Sequence, residues 1–207
     1  MHPIFKLASH PDHNYFYILT SCNVQDPHDP TTWSFQSFVS EWTDQRKIPE
    51  TSAERLADLK RLATTFCEPY RTAALSLPDD TYVYLDTIKH WEKPVPWDNH
   101  DGRITLAGDA AHPMSPYRGQ GLNNGLQDAA NYVEALKTVL QNHSSSSARA
   151  AALKEAIDAY DKEVLERGRT EIQISARQTR MSHHMNEFLQ SPMGQFGTAR
   201  MKEMQQS

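Results

Sequence analysis

The sequence predicts an α+β fold in which antiparallel strands come first, a strand–loop–helix unit stands in the middle, and long helices close the chain. Three observations carry that expectation. Aromatic and β-branched residues crowd 13–20 (HNYFYILT) and 33–41 (WSFQSFVSE), between bounds rich in Pro and Asp. Residues 102–136 read as an apolar run, a loop punctuated by Gly and Pro, and a helical repeat of apolar positions. From 148 to about 189, apolar residues recur again at helical spacing.

In order, 13–20 and 33–41 make two strands, with DPHDP (26–30) as the turn between them. Thr51-Ser52-Ala53-Glu54 is a capping-box pattern. Leu56, Leu59, Leu62, Ala63 and Phe66 follow on one stripe, which predicts a helix over about 52–68. Pro78-Asp79-Asp80 turns the chain into a further strand over 81–91, with Tyr82, Tyr84 and Asp86 on one face and Val83, Leu85 and Thr87 on the other. Pro94, Pro96 and the turn 98–102 lead into the run Arg103–Ala107, a strand ending at Gly108-Asp109. Ala110, Ala111, Pro113 and Pro116 form a loop. Leu126, Ala129, Ala130, Val133, Leu136 and Leu140 predict a helix over about 121–142. The serines at 144–147 read as a short flexible linker. Leu153, Ile157, Tyr160, Val164, Leu165, Ile172 and Ile174 then predict one long helix, or two separated near Gly168. Beyond Pro192 the periodicity fades, as in a loosely ordered tail.

The 207 residues, 38% hydrophobic, suffice for one sizeable core or two small ones. A net charge of -5 with no basic stripe argues against nucleic acid as a partner. Cys22 and Cys67 give neither a disulfide framework nor metal-ligand spacing, and read as reduced thiols. No apolar run approaches the roughly 20 residues that span a bilayer, and the first residues lack a leader's apolar core. A cytoplasmic protein without a membrane span is the expectation. His183 and His184 would point about 100° apart on a helix, which disfavours joint metal ligation.

The chemistry gathers at the central loop. Asp109 is an acceptor-only carboxylate, suited to sugar or polyol hydroxyls. Gly119 and Gly121 remove side chains where a flat ligand would approach the backbone. A helix starting near Gly121 aims free N–H groups and a partial positive charge at the same place, favouring an electron-rich ring. Asn123 and Asn124 add amide groups. A polyol grip beside a dipole aimed at a ring suggests a flavin. His112 reads as a packing residue, since neither a Gly-x-Ser-x-Gly nucleophile nor a third ligand accompanies it. Arg167 and Arg169 read as solvated helix charges. Tyr15, Phe16, Tyr17, Trp33, Phe35 and Phe38 either line an aromatic pocket or fill the sheet core, and core weighs more.

The run GRITLAGDAAHPMSPYRGQGLNNGLQDA (102–129) resembles the second FAD-binding motif of the single-component flavoprotein monooxygenases, the group of the p-hydroxybenzoate and salicylate hydroxylases. The resemblance implies that Gly108 and Asp109 end a strand with Asp109 on the ribityl chain. It implies that Pro116 lies beside the flavin ring and substrate, and that Gly119, Gln120, Gly121, Leu122 and Asn123 face the flavin at the helix start. Trp91, Trp97, Tyr160, Glu163, Arg167 and Arg169 fit the flanks, so the likeness covers about 80–180. FAD is the implied cofactor and NAD(P)H its reductant, with O2 used to hydroxylate or epoxidise a small organic substrate, aromatic or of secondary metabolism. No acid or base is implied, so no catalytic residue is assigned.

Departures from the family pattern are equally specific. The glycines, at 102, 108, 119, 121, 125, 168, 194 and 197, form no Gly-x-Gly-x-x-Gly, and the acidic ribose partner has no host. Asp101-Gly102 precedes the strand and is not the family's central Asp-Gly motif. The resemblance is thus to the C-terminal portion of a monooxygenase with an α/β FAD-binding fold, apparently truncated. It gives 1–98 as part of a substrate-binding region, 99–143 as the flavin-edge strand, loop and helix, and 148–207 as a helical region. The alternative is a non-catalytic remnant or interaction subunit, which self-associates or needs a complementing chain to finish the FAD site, because an unpaired strand edge and bare helix faces invite association.

Overall fold

Three antiparallel strands, β1 (Phe5–Ser9), β2 (Tyr15–Val24) and β3 (Trp33–Glu41), pair in chain order into one sheet. The computed structural model that shows them describes residues 5–43, 49–142 and 145–195. β2 and β3 are the two aromatic segments expected from the sequence; β1 is an addition, because FKLAS carries too little alternation to stand out. Register sets Ala8 against Tyr17 and Ile18 against Phe38. The DPHDP turn is braced by Asp26, whose carboxylate accepts the His28 N–H at 2.8 Å and whose carbonyl accepts the Trp33 indole N–H at 2.7 Å.

Alternation along β2 sends neighbours to opposite faces. Tyr17 and Leu19 join Leu62, Phe66, Tyr70 and Ala74 in a buried cluster. Phe16, fully buried on the other face, meets the ring of Phe188 at 5.8 Å, and beside it Ser40 Oγ lies 2.9 Å from His183 Nε2. The aromatic set therefore divides. Phe16 and Tyr17 are core, while Phe35 and Phe38 stay exposed.

Helix α1 (Ser52–Ala63) begins with the predicted capping box: Thr51 Oγ1 accepts the Glu54 N–H at 3.2 Å and Glu54 Oε2 accepts the Thr51 N–H at 3.0 Å. It stops at Ala63 rather than near 68. Thr64 and Thr65 turn their hydroxyls back onto the carbonyls of Arg61 and Leu62, both at 2.8 Å, and Pro69 bars further helix. A short α2 (Tyr70–Leu75), absent from the sequence reading, follows. The strand expected over 81–91 does not form. Its alternation is present, but no described strand lies alongside to complete a ladder. The Val83 N–H instead donates to Ser52 Oγ at 2.8 Å and its carbonyl accepts Arg55 Nε at 2.9 Å.

These elements and residues 180–195 make one compact unit; Ile88–Thr179 make the second. In the second, the turn at 98–102 hangs on Asn99, whose carbonyl accepts the N–H of Arg103 at 2.9 Å and of Ile104 at 3.0 Å. Residues 104–107 run on without a ladder partner among the described residues, so the flavin-edge strand is an extended segment, with Ala107 at φ -145°, ψ 157°. Tyr160 tethers it by donating its hydroxyl to the Leu106 carbonyl at 3.3 Å.

Helix α3 (Gly121–Asn142) matches its expected span, and α4 (Ser146–Ser182) is one helix that passes Gly168 unbroken, with α5 (Met185–Gln190) after it. Ser145 Oγ accepts the Ala148 N–H at 3.3 Å, so Ser146 and Ser147 open α4 rather than a linker; Ser144 and the expected loose tail beyond 195 lie outside the described residues. A Cβ on Gly168 would stand 2.7 Å from His112 Cβ, so this glycine admits a neighbour and marks no break. Ala111, Tyr160 and Val164 form the local core with Trp97, Leu106 and Tyr132. The apolar stripe of α3 faces outward: Leu122 is 75% exposed, Leu126 59%, Val133 53% and Leu140 62%. Asn124, Asp128 and Val139 are the buried positions.

Candidate functional site

The candidate site is built on the turn Gly108–Ala110. Gly108 has φ +58°, a backbone state that favours glycine. Its carbonyl accepts the N–H groups of Ala111 at 2.9 Å and His112 at 3.0 Å, and its own N–H donates to Asp128 Oδ2 at 2.6 Å. Asp109 is exposed, and its carboxylate has no partner among the described residues. Pro116, also exposed, opens a single-turn helix, Pro116–Arg118. That loop is bound to α4 on both sides, by Ser115 Oγ donating to the Ser175 carbonyl at 3.0 Å and by Arg118 pairing with Glu171 at 2.6 Å.

At the start of α3, the first intrahelical bond runs from the Asn124 N–H to the Gln120 carbonyl at 3.0 Å. The amides of Gly121, Leu122 and Asn123 precede it and carry the positive end of the helix dipole. Nothing lies within 4 Å of where a Cβ would stand at Gly108, Gly119 or Gly121, so open space faces all three. Gln120 accepts the Asn123 side-chain amide at 3.0 Å. A Cβ on Gly125 would lie 4.0 Å from Gly108 Cα, which puts the turn against the first turns of the helix. Gly108, Asp109 and Gly121–Asn123 thus share one end of α3. Asn124 is turned inward: its side chain donates to the Gln120 carbonyl at 3.0 Å and accepts Arg167 Nη1 at 2.6 Å, so both ends of the amide are engaged within the protein.

Beneath the turn lies a polar network that sequence reasoning missed. Asp128 is fully buried; its Oδ2 also accepts from His112 Nε2 at 2.9 Å, and its Oδ1 accepts from the Arg167 guanidinium. Arg167 in addition binds Glu163 Oε1 at 2.7 Å. It is therefore no solvated charge; Arg169, by contrast, is exposed. Burial pushes the Asp128 carboxyl up, but the Gly108 N–H, the guanidinium and the imidazole outweigh it and hold the group below the usual carboxylate range. His112, 1% exposed, is the packing residue it was read as, and donates from Nε2 because a carboxylate only accepts. Burial, with Asp128 and Asp161 nearby, pushes the Tyr160 hydroxyl up to about 12 and keeps it neutral. A detectable signal did exist: Asn124, Asp128 and Asn131 recur on one α3 face, and Glu163 and Arg167 sit at helical spacing. Among the described residues no three His, Cys, Asp or Glu side chains converge on a metal-sized site, and no helix is long and apolar enough to cross a membrane.

Residues 73–175 match a family of FAD binding domains. Over 167 residues the chain is 39% identical to an FAD-dependent monooxygenase of Penicillium herquei, and over 193 residues 34% identical to one of Talaromyces islandicus. Residues 73–175 belong to that FAD binding domain family, and the chain as a whole is similar to FAD-dependent monooxygenases. The two alignments take in 81% and 93% of this chain but 39% and 46% of those relatives, so the chain spans less than half their length. Among solved structures, an HpxO variant of Klebsiella pneumoniae complexed with FAD has the same fold, with a TM-score of 0.58 at 17% identity; the match covers 98% of this chain and 45% of that one.

Proposed function

We propose that this chain holds the ring and ribityl side of FAD, and that the whole enzyme hydroxylates or epoxidises a small organic substrate with O2 and NAD(P)H. One observation carries the reading: the partnerless Asp109 carboxylate and the leading amides of α3 stand at one helix end, with open space at Gly108, Gly119 and Gly121. An acceptor for polyol hydroxyls beside donors for an electron-rich ring is what a flavin requires. In this reading Asp109 grips the ribityl chain, Gly121, Leu122 and Asn123 donate to the ring, Gly119 and Gln120 shape the helix approach, and Pro116 borders ring and substrate. Bound FAD, reduced by NAD(P)H, would supply the oxygen chemistry, and the protein's part is orientation and electrostatics. A cytoplasmic setting fits the free, exposed thiols of Cys22 and Cys67.

Titration with FAD, riboflavin and AMP, followed by flavin fluorescence, tests the assignment. FAD and riboflavin should bind with similar dissociation constants, and AMP should not compete. Riboflavin failing to bind where FAD binds would refute it.

The outer face of α3 favours a second feature, a partner supplying the adenosine side. Leu122, Leu126, Val133 and Leu140 form an exposed apolar stripe on the helix whose first residues make the flavin site. We propose that a dinucleotide-binding βαβ unit, on the same or a separate chain, covers it. Sedimentation of this chain alone and with such a unit separates the outcomes: a mixed complex that Leu126→Lys abolishes supports the proposal, and a homodimer or a monomer with no mixed complex counts against it.

A further inference from the structure

We propose that Asp128 is a positioning residue for the cofactor turn: its buried carboxylate fixes the Gly108 peptide, and through it the direction of Asp109. The proposal rests on the flavin reading of Asp109. The backbone state that makes glycine suitable at 108 also leaves that residue with little steric restraint, since glycine visits both signs of φ. Among the described residues its carbonyl is held only by the next residues of the same turn, Ala111 and His112. Its N–H is held from outside the turn, by Asp128 Oδ2 at 2.6 Å. Asp109 follows directly, so a rotation at Gly108 redirects the exposed carboxylate relative to the start of α3.

The anchor is itself immobilised from two helices. Oδ2 accepts from His112 as well, at 2.9 Å, and that ring fills the hollow at Gly168 on α4, where a Cβ would meet His112 Cβ at 2.7 Å. The other oxygen accepts from Arg167, which is tied in turn to Glu163 at 2.7 Å and Asn124 at 2.6 Å. Three donors thus converge on one fully buried acceptor-only group. An asparagine there offers one acceptor oxygen and adds two N–H donors. In either orientation, Gly108 or Arg167 would face a donor.

Two measurements on the chain itself test this. Amide hydrogen exchange needs no flavin: in Asp128→Asn the Gly108 N–H should exchange at least about tenfold faster, with Ile157 and Val164 as protected as before. Unchanged Gly108 exchange overturns the proposal. FAD titration supplies the functional half through a double-variant cycle. Asp128→Asn should weaken binding about tenfold, but less than about twofold in an Asp109→Ala background, because a residue acting through Asp109 has nothing left to position. Equal losses in both backgrounds overturn the positioning role. No effect of Asp109→Ala alone sinks the flavin reading instead, and the exchange result still decides whether Asp128 anchors the turn. If Asp128→Asn fails to fold, Arg167→Gln strips the second oxygen of its donor, together with the ties to Glu163 and Asn124, and is read by the same measurements.

Discussion

Replacing Gly168 with alanine sets two physical rules against each other. In a helix interior, alanine is favoured over glycine by about 1 kcal/mol, so propensity alone predicts a more stable protein. The structure predicts the opposite. The new methyl would stand 2.7 Å from His112 Cβ, 3.2 Å from Cγ and 3.3 Å from Cδ2. Ordinary carbon contacts lie at about 3.5–4.0 Å, and His112 Cβ is the root of its side chain, which no rotamer change moves away. Overpacking of this kind costs about 1–3 kcal/mol. A displaced imidazole also loses its bond to the Asp128 carboxylate, worth about 1.5–3 kcal/mol. The net expectation is a loss of about 1.5–5 kcal/mol after the propensity gain. Urea unfolding followed by far-UV circular dichroism measures it, for Gly168→Ala with and without His112→Ala. In the His112→Ala background no imidazole bond is left to lose, but the 2.7 Å contact with Cβ remains, so the same substitution should cost less, about 0–2 kcal/mol after the propensity gain. If Gly168→Ala stabilises the protein while His112 is present, the packing described here is wrong.

Further outcomes follow from the same geometry. Asp109→Ala should weaken FAD about tenfold or more, with no change in the urea midpoint, because the lost acceptor is exposed and binds none of the described residues; a lowered midpoint would contradict a purely ligand-facing role. Asp128 titrates below its ordinary 3.8 in the folded state, so its contribution to stability is complete above that value and is lost as pH falls through the folded pKa. Asp128→Asn should therefore flatten the acid limb of the midpoint against pH, and parallel limbs in the two proteins would argue against the network. Thr51→Ala removes half of the α1 capping box and should cost about 1 kcal/mol in the same unfolding assay.

What could be read from the sequence was local. The 3.6-residue period gave the bounds of α3 and most of α4, and the Thr51–Glu54 spacing gave a helix start confirmed atom by atom. The 81–91 and 103–107 segments misled because alternation describes side chains, whereas a strand also requires a neighbour to accept its backbone bonds. Val83 found Ser52 and Arg55 instead, and Leu106 found Tyr160. The site divided along the same line. The glycines and Asp109 form one continuous motif and could be read directly. Asp128 and Arg167 are 39 residues apart; the polar face of each helix was legible, but no local period pairs one face with the other.

Helix α3 shows why a period alone cannot orient an element. Its leucines repeat as a core-facing stripe would, yet the structure buries Asn124 and Asp128 and exposes Leu122, Leu126, Val133 and Leu140. Burying one such apolar side chain is worth about 1.5–3 kcal/mol, so hydrophobic burial within this unit does not explain the choice. Hydrogen bonding does. Turning the helix to bury its leucines would take the Asp128 carboxylate from the Gly108 N–H, from His112 and from Arg167 together, leaving buried donors and a guanidinium unmatched. The polar face of α3 is thus committed to holding the turn that presents Asp109. Its apolar face stays exposed, and on the proposed reading one helix links the flavin turn to the surface on which the rest of a flavin site would be assembled.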